Sequence, residues 1–282
     1  MNAALIIARL TVREAARRKL VAVFLLITVA MVSLSAWGFD RLSHTSTITS
    51  GEIHVALPQA LILFMFMFSF VVALSASAIA SPAISFEIES GVLQTIVTRP
   101  LRRSELMLGK WLGLAFLVAA YSIVVAGLEM AVVDWVSGFL PPNPVAVVLY
   151  LFAEGAALLT LVLLLSTRLS ALATGVAGVA LFGSAWLAGV VGALGTTFHV
   201  PALRTVGNVA RYIVPTDGLW HGAIYYLEPA SMIVQRLSGA ADSGGNPFFA
   251  TSPPSWPYLM WAAAWLVAVL AAGVVSFGRR EL

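Results

Sequence analysis

The chain has 282 residues, of which 60% are hydrophobic and only 10% are charged, and its formal net charge is +3. Its mean hydropathy of +0.95 is higher than a soluble core requires and predicts a protein embedded in a membrane. Because there is no cysteine, the sequence excludes a disulfide framework, a thiolate metal site and a thiol nucleophile.

Residues 1–19 combine a basic stripe with apolar faces. Arg9, Arg13 and Arg17 recur every four residues, so they share one side of a helix, while Ala8 and Ala15 fall on another side. This pattern predicts an amphipathic helix that lies on the membrane surface. The alternative is an ordinary positively charged flank that only sets the orientation of the next segment.

Apolar runs of membrane-spanning length follow. A bilayer core of about 30 Å needs about 20 apolar residues in a helix. Six runs meet or approach that length, at residues 20–39, 58–80, 111–133, 145–166, 171–195 and 258–277. Because a spanning backbone must satisfy its own hydrogen bonds, they predict an all-α polytopic membrane protein, with six transmembrane helices in one domain over residues 1–282. The first run could instead be a signal peptide, but it is longer than the usual apolar stretch of about 7–15 residues.

The basic residues predict the orientation. Placing the N-terminus in the cytoplasm puts twelve of the sixteen Lys and Arg residues on that side. The four that then lie outside are Arg41, Arg204, Arg211 and Arg236. Both termini are therefore predicted to be cytoplasmic.

The cytoplasmic loop of residues 81–110 concentrates charge. Ile84 and Ile88 would share a helical face that Glu87 and Glu89 flank, and Gly91 interrupts the helix or lets another backbone approach.

Proline and serine divide this loop into two elements. Arg99 and Pro100 end the first element, because the residue before proline disfavours the helical conformation. Ser104 is the predicted N-cap of a helix that continues into the third span, with Glu105 near its N-terminal dipole. The resulting rigid turn either docks another protein or simply meets headgroups and water.

The region of residues 196–257 is much longer than a usual connection. Pro215 and Thr216 precede a predicted helix over residues 217–227, and a second helix is predicted over residues 230–237. We predict an external cap with short helices between the fifth and sixth spans.

Two acids stand within predicted spans, where a charge costs roughly 2.5–3.5 kcal/mol on insertion scales. Glu154 and Glu129 are therefore candidates for a substrate path or a cation site. Alternatively, Glu129 reaches the interface and Glu154 bonds to neighbouring polar side chains. No two of the four histidines have ligand spacing, and no metal site is expected.

Small residues in the fifth run form a stripe that permits close helix packing. The stripe consists of Ala180, Ser184, Ala188 and Gly192. It is either an intrachain contact or a dimer seam. Gly109 and Gly113 offer a similar surface at the base of the third span.

The charged loop resembles that of the ABC-2 family of transporter permeases, which has the form Glu-x-Gly-Thr-Leu, then Pro-x-x-Arg, then Gly-Lys. The matching positions are Glu89, Gly91, Leu93, Pro100, Arg103, Gly109 and Lys110. Val92 replaces the usual threonine of the motif. The stretch from Pro215 to Trp220 is similar to the subgroup that includes the nitrous-oxide-reductase maturation permease.

The resemblance implies the permease subunit of an exporter in a bacterial or archaeal cell membrane. Its implied partners are two copies of a cytosolic ABC ATPase, a second permease chain that is identical or similar, and the lipid bilayer, with no nucleic acid. The implied ATPase-coupling residues are Glu87, Glu89, Gly91, Leu93, Arg99, Pro100, Arg102 and Arg103.

ATP and Mg²⁺ would bind the partner, because this chain lacks the phosphate-loop pattern and is expected to have no active site or cofactor of its own. An ATP-independent secondary carrier and a membrane scaffold or assembly protein are the alternative functions.

Overall fold

A computed structural model of the protein describes residues 3–43, 50–89, 102–229, 234 and 246–280. Every regular element in these described residues is an α-helix, and there are ten of them. They are α1 (Ala3–Ala16), α2 (Lys19–Ser43), α3 (Ser50–Ala80), α4 (Pro82–Glu89), α5 (Arg103–Ser137), α6 (Pro144–Leu165), α7 (Ala171–Thr197), α8 (Pro201–Ile213), α9 (Thr216–Leu227) and α10 (Trp256–Gly278).

Six helical segments among the described residues are long and apolar enough to cross a membrane, which confirms the predicted six-span architecture. They correspond to α2, α3 with α4, α5, α6, α7 and α10. The helix α5 has 35 residues and is about 52 Å long at the usual rise per residue. It therefore extends well beyond a hydrocarbon core of about 30 Å.

Local sequence signals explain several helix ends. The Asn143 side chain accepts a hydrogen bond from the Ala146 amide at the start of α6, and Ser170 caps α7 in the same way. The predicted cap at Ser104 is wrong, because α5 already begins at Arg103. There the Glu105 carboxylate accepts a bond from the Arg102 backbone N–H at 3.1 Å, and this contact satisfies an amide that the helix itself leaves unpaired.

The core has two main halves along the bundle and a small third cluster between α6, α9 and α10, and α3 and α6 lie at its centre. In the most apolar stretches of α3 and α6, 61% of the residues are buried, against 11% in α2 and α10. One half of the core surrounds Ile84 and Met107 at the α4 end, and the other surrounds Met65 and Trp220 at the α9 end. The outer helices therefore present apolar surface to the bilayer or to another chain.

The helix α1 crosses the base of α5 at two glycines. An ideal Cβ on Gly109 would lie 2.7 Å from the Ala4 carbonyl oxygen, and one on Gly113 would lie 2.6 Å from that of Ala8. Only glycine permits this approach, so the predicted small-residue surface at the base of the third span is a contact with α1. Arg9 and Arg13 remain exposed on the other side of α1.

Among the described residues, two helices lie between the fifth and sixth spans. The predicted helix over residues 217–227 is confirmed as α9, while α8 was not predicted. Most of α9 is buried, and Trp220, Ile224 and Leu227 pack with α3 and α6 inside the end of the bundle. The predicted helix over residues 230–237 lies outside the described residues except for Val234.

Candidate functional site

A buried lysine joins α4 to α5. The Lys110 residue is only 4% exposed. Its ammonium group donates to the Ala83 carbonyl and lies 2.5 Å from the Glu87 carboxylate. A cation in this position requires such partners, because an unpaired buried charge is costly. The family-like lysine at position 110 therefore clamps α4 onto α5, and we call this contact the lysine clamp.

An arginine fixes the end of α10 beside the lysine clamp. The Arg103 guanidinium donates to the carbonyls of Phe277, Gly278 and Arg280 at 3.3, 3.0 and 2.6 Å. A cation at a helix C-terminus satisfies free carbonyls and opposes the negative end of the dipole. This predicted coupling residue is thus engaged within the chain itself.

A second set of bonds joins α6 to α10 at the same end. The Arg280 guanidinium donates to the Thr167 carbonyl, and the Arg168 guanidinium donates to the Ser276 hydroxyl at 2.9 Å. The bases of α5, α6 and α10 are consequently tied together on one side of the lysine clamp.

The remaining predicted coupling residues divide into two groups. Arg102 is exposed just before α5. The backbone of Glu89 closes α4, but its side chain lies outside the described residues, as do Gly91, Leu93, Arg99 and Pro100. The coupling roles of all these residues stay predictions.

An exposed aromatic side chain on α4 was missed from the sequence. Phe86 is 56% exposed, while its neighbours Ile84 and Ser85 are buried and Ile88 packs on the core. The spacing of Ile84 and Ile88 predicted the buried face correctly. The same spacing places position 86 on a different face of the helix, and this was the signal available in the sequence for an exposed Phe86.

The two predicted intramembrane acids are buried, and each has a serine partner. Both oxygens of Glu154 accept from the Ser69 hydroxyl, at 2.8 and 2.9 Å. One oxygen of Glu129 accepts from Ser35 at 2.6 Å, and the other has no hydrogen-bond partner among the described residues. Within that part of the chain, neither acid contacts a basic side chain. Their predicted part in a substrate path stays a prediction.

The small-residue stripe of α7 has two environments. At its C-terminal end Gly192 meets Gly207 of α8, since an ideal Cβ on Gly192 would lie 2.8 Å from the Gly207 Cα. Ala180 and Ser184, nearer the middle of α7, are exposed. One part of the stripe is therefore an intrachain contact, and a dimer seam at the other part stays a prediction.

An ionic cluster anchors the start of α9. The Asp217 carboxylate accepts from the Arg211 guanidinium at 2.9 Å and lies against Gly189 of α7. The His221 ring lies 2.8 Å from the Asp217 carbonyl and 3.3 Å from Arg211. Burial lowers the pKa of His221 below its ordinary value, and the nearby Asp217 carboxylate only partly opposes this. The cluster fixes α8 to α9 at their junction.

An aromatic array lies between α3 and α7 and was also missed. Phe66 packs against Phe70 and Trp186, with ring centroids 5.0 and 5.2 Å apart, and Phe70 meets Phe182 at 5.0 Å. Phe66, Phe70 and Trp186 are only half-buried. They offer an apolar aromatic surface midway along the bundle.

Comparison with known proteins gives one family. The model of a family described as "ABC-2 family transporter protein" matches residues 5–282. No curated protein matches the chain significantly. The match covers almost the whole sequence but does not distinguish subgroups, so the likeness of Pro215–Trp220 to one subgroup stays a prediction.

Proposed function

Because the chain belongs to the ABC-2 family of transporter proteins, we propose that it is the permease subunit of an ATP-driven exporter in a cell membrane. ATP and Mg²⁺ bind a separate cytosolic ATPase, two copies of which serve a dimer of permease chains. This chain supplies the membrane path and the surface that the ATPase moves. It contributes no catalytic residue.

The lysine clamp is the observation that best supports this role. ATP-driven transport requires that a movement at the membrane surface reach the spanning helices. Through Lys110, the short helix α4 is held to α5 by a partly buried ion pair and by a bond to the Ala83 carbonyl. In addition, α4 follows α3 after the single residue Ser81. A force on α4 would therefore act on α3 and α5 together.

We propose that the exposed side of α4 is part of the docking surface. Phe86 offers an apolar contact, and Arg102 offers a positive charge at the start of α5. In this proposal, the residues between Phe86 and Arg102 that match the family motif complete the docking surface. Arg103 acts differently, by keeping the base of α10 attached to α5 while the loop is pushed.

The cargo path is proposed to involve the middle of the bundle. The half-buried rings of Phe66, Phe70 and Trp186 suit an apolar or amphipathic cargo. Glu154 lies deeper and is held by Ser69, so a role for its carboxylate would require the helices to separate.

Site-specific cross-linking tests the docking proposal, and the absence of native cysteine makes it simple. Single cysteines replace Phe86 and Arg102 and carry a maleimide photo-cross-linker in native membranes. Leu140→Cys is the matched control, because Leu140 is 52% exposed and follows the opposite end of α5. We expect Phe86→Cys and Arg102→Cys to capture a phosphate-loop ATPase identified by mass spectrometry, and Leu140→Cys to capture none.

The same experiment separates the alternative functions. Capture of no ATPase by Phe86→Cys or Arg102→Cys, from membranes that hold the intact protein at normal abundance, would contradict the proposal. A secondary carrier or a scaffold would then be favoured. Equal capture by Leu140→Cys would show that the ATPase contact is not located at α4.

A further inference from the structure

A polar cavity lies at the α9 end of the protein, away from the lysine clamp. It has a volume of about 560 Å³ and is lined by α7, α8, the starts of α9 and α10, and residues 246–255. Pockets that bind small organic molecules typically have volumes of about 300–1,000 Å³. The cavity falls within this range and is larger than a simple ion needs. Neither Phe86 nor Arg102 of the proposed docking surface is among the described residues that line it.

The helix α8 is amphipathic in the reverse sense to a helix of a soluble protein. Its polar residues Arg204, Asn208 and Arg211 follow the spacing of one helical face and line the cavity. Its large apolar residues are instead exposed on the outside of the protein, namely Val206, Val209 and Ile213. This arrangement stabilises a membrane protein when lipid acyl chains surround the apolar face of α8 and a hydrophilic ligand meets its polar face.

The described residues that line the cavity carry an excess of positive charge. No Asp or Glu is among the described residues that line it. The charge of Arg211 is balanced by the buried Asp217. Among the described residues, Arg204 donates only to two backbone carbonyls, those of Gly195 and Thr196, at 3.0 and 3.1 Å, and it forms no ion pair with a described carboxylate.

The cavity also retains unused hydrogen-bond donors. A guanidinium group has five N–H bonds, and Arg204 spends only part of this set on the carbonyls of Gly195 and Thr196. The Asn208 amide makes no side-chain hydrogen bond within the described residues. These groups are chemically suited to a phosphate oxyanion, which arginine and amide donors bind strongly.

Aromatic side chains around the cavity indicate its depth. Tyr212, Trp256 and Trp261 are all exposed near its edge, and the Trp261 indole donates to the Tyr212 carbonyl at 3.2 Å. Exposed Trp and Tyr side chains collect at the level of lipid headgroups. The polar cavity therefore opens at the depth where phosphate groups of the bilayer are found.

From these observations we propose that the cavity binds the phosphate group of an anionic lipid headgroup, through Arg204, Arg211 and Asn208. The relevant chemistry is that of an organic phosphate, and a soluble organic phosphate shares it. The proposal does not depend on ATP-driven transport, because neither the lysine clamp nor an ATPase takes part in this binding.

Calorimetric titration of the purified full-length chain in detergent tests the proposal. The probes are dihexanoyl-phosphatidylglycerol, dihexanoylglycerol, which lacks the phosphate, and glycerol 3-phosphate, which lacks the acyl chains. The variants are Arg204→Gln and Asn208→Leu. Arg41→Gln is the control, because it removes a charge from the exposed end of α2 on the same side of the bundle, outside the cavity lining.

We expect saturable binding of dihexanoyl-phosphatidylglycerol at one site per chain. The dissociation constant should rise about tenfold or more in Arg204→Gln and Asn208→Leu, because each loses a charge-assisted contact. It should change by no more than about twofold in Arg41→Gln. Binding of glycerol 3-phosphate with the same dependence on the variants would support the phosphate site and identify a soluble source for the ligand.

Three results would overturn the proposal. The first is equal binding of dihexanoylglycerol, which would show that acyl chains alone carry the affinity. The second is the lack of saturable binding by both phosphate probes. The third is wild-type affinity in Asn208→Leu, which keeps the bonds that Arg204 makes to the chain and so tests the cavity even where Arg204→Gln is poorly folded.

Discussion

The lysine clamp makes a quantitative prediction about stability. Replacing Lys110 by Met keeps the length and the apolar stem of the side chain but leaves the Glu87 carboxylate and the Ala83 carbonyl without their shared donor. Breaking a fully buried pair costs about 3–5 kcal/mol. The Glu87 side chain keeps 21% exposure, so water relieves part of this cost, and we expect a loss of about 2–3 kcal/mol.

The double variant distinguishes the cost of leaving one buried charge unpaired from the loss of the ion pair itself. In Lys110→Met combined with Glu87→Gln, no charge is left without its partner, and the loss should shrink to about 1 kcal/mol. For a chain of this size, about 1 kcal/mol corresponds to a shift of about 2–4 °C in the unfolding midpoint. The single Lys110→Met variant should therefore unfold about 4–12 °C below wild type, and the double variant should recover most of that difference. Circular dichroism of the detergent-purified chain measures both.

The exposed Glu14–Arg18 pair on the same side of the protein provides the control. Its side chains are 58% and 29% exposed at an N–O distance of 2.6 Å, so the corresponding double-variant cycle should give a coupling energy below about 0.5 kcal/mol. The reasoning is refuted when the coupling between Lys110 and Glu87 is no larger than this control value.

Three further predictions concern packing, transport and orientation. Gly113→Leu should detach α1 and speed tryptic cleavage within it, because a side chain there meets the α1 backbone, whereas Gly127→Leu projects into open space and should cleave like wild type. If the Glu154 carboxylate acts in transport, Glu154→Gln should lower transport at unchanged abundance and thermal midpoint, and a normal transport rate would remove it from the mechanism. In intact cells, a cysteine at Ser104 should be shielded from an impermeant thiol reagent while one at Leu140 reacts, and the opposite pattern would reverse the predicted orientation.

The spans were predictable because the bilayer imposes a simple length requirement on apolar runs. The same length requirement could not detect α8, because two arginines interrupt its apolar sequence. The recurrence of Val206, Val209 and Ile213 and the proline at its first position were the available signals for a helix. A periodic pattern alone does not say which face is inward, and in α8 the polar face is the inner one.

The site was only partly predictable, because its key contacts join distant residues. Glu87 and Lys110 are 23 positions apart, and a charge-rich loop predicts contact with water or a partner before it predicts a buried ion pair. The bond between Arg103 and the end of α10 has even less support in local sequence. In contrast, the buried face of α4 follows directly from the spacing of Ile84 and Ile88.

The bonds made by Arg103 also constrain the order in which the bundle is assembled. The Phe277 carbonyl that it caps is 174 positions later in the chain. At a synthesis rate of about 5–20 residues per second, this separation corresponds to about 9–35 s of translation. During that interval the N-terminal end of α5 is already made while its partner on α10 does not yet exist. The base of the protein therefore closes only after α10 has entered the membrane, and until then the charged start of α5 is open to the ribosome, the insertion machinery and the lipid headgroups.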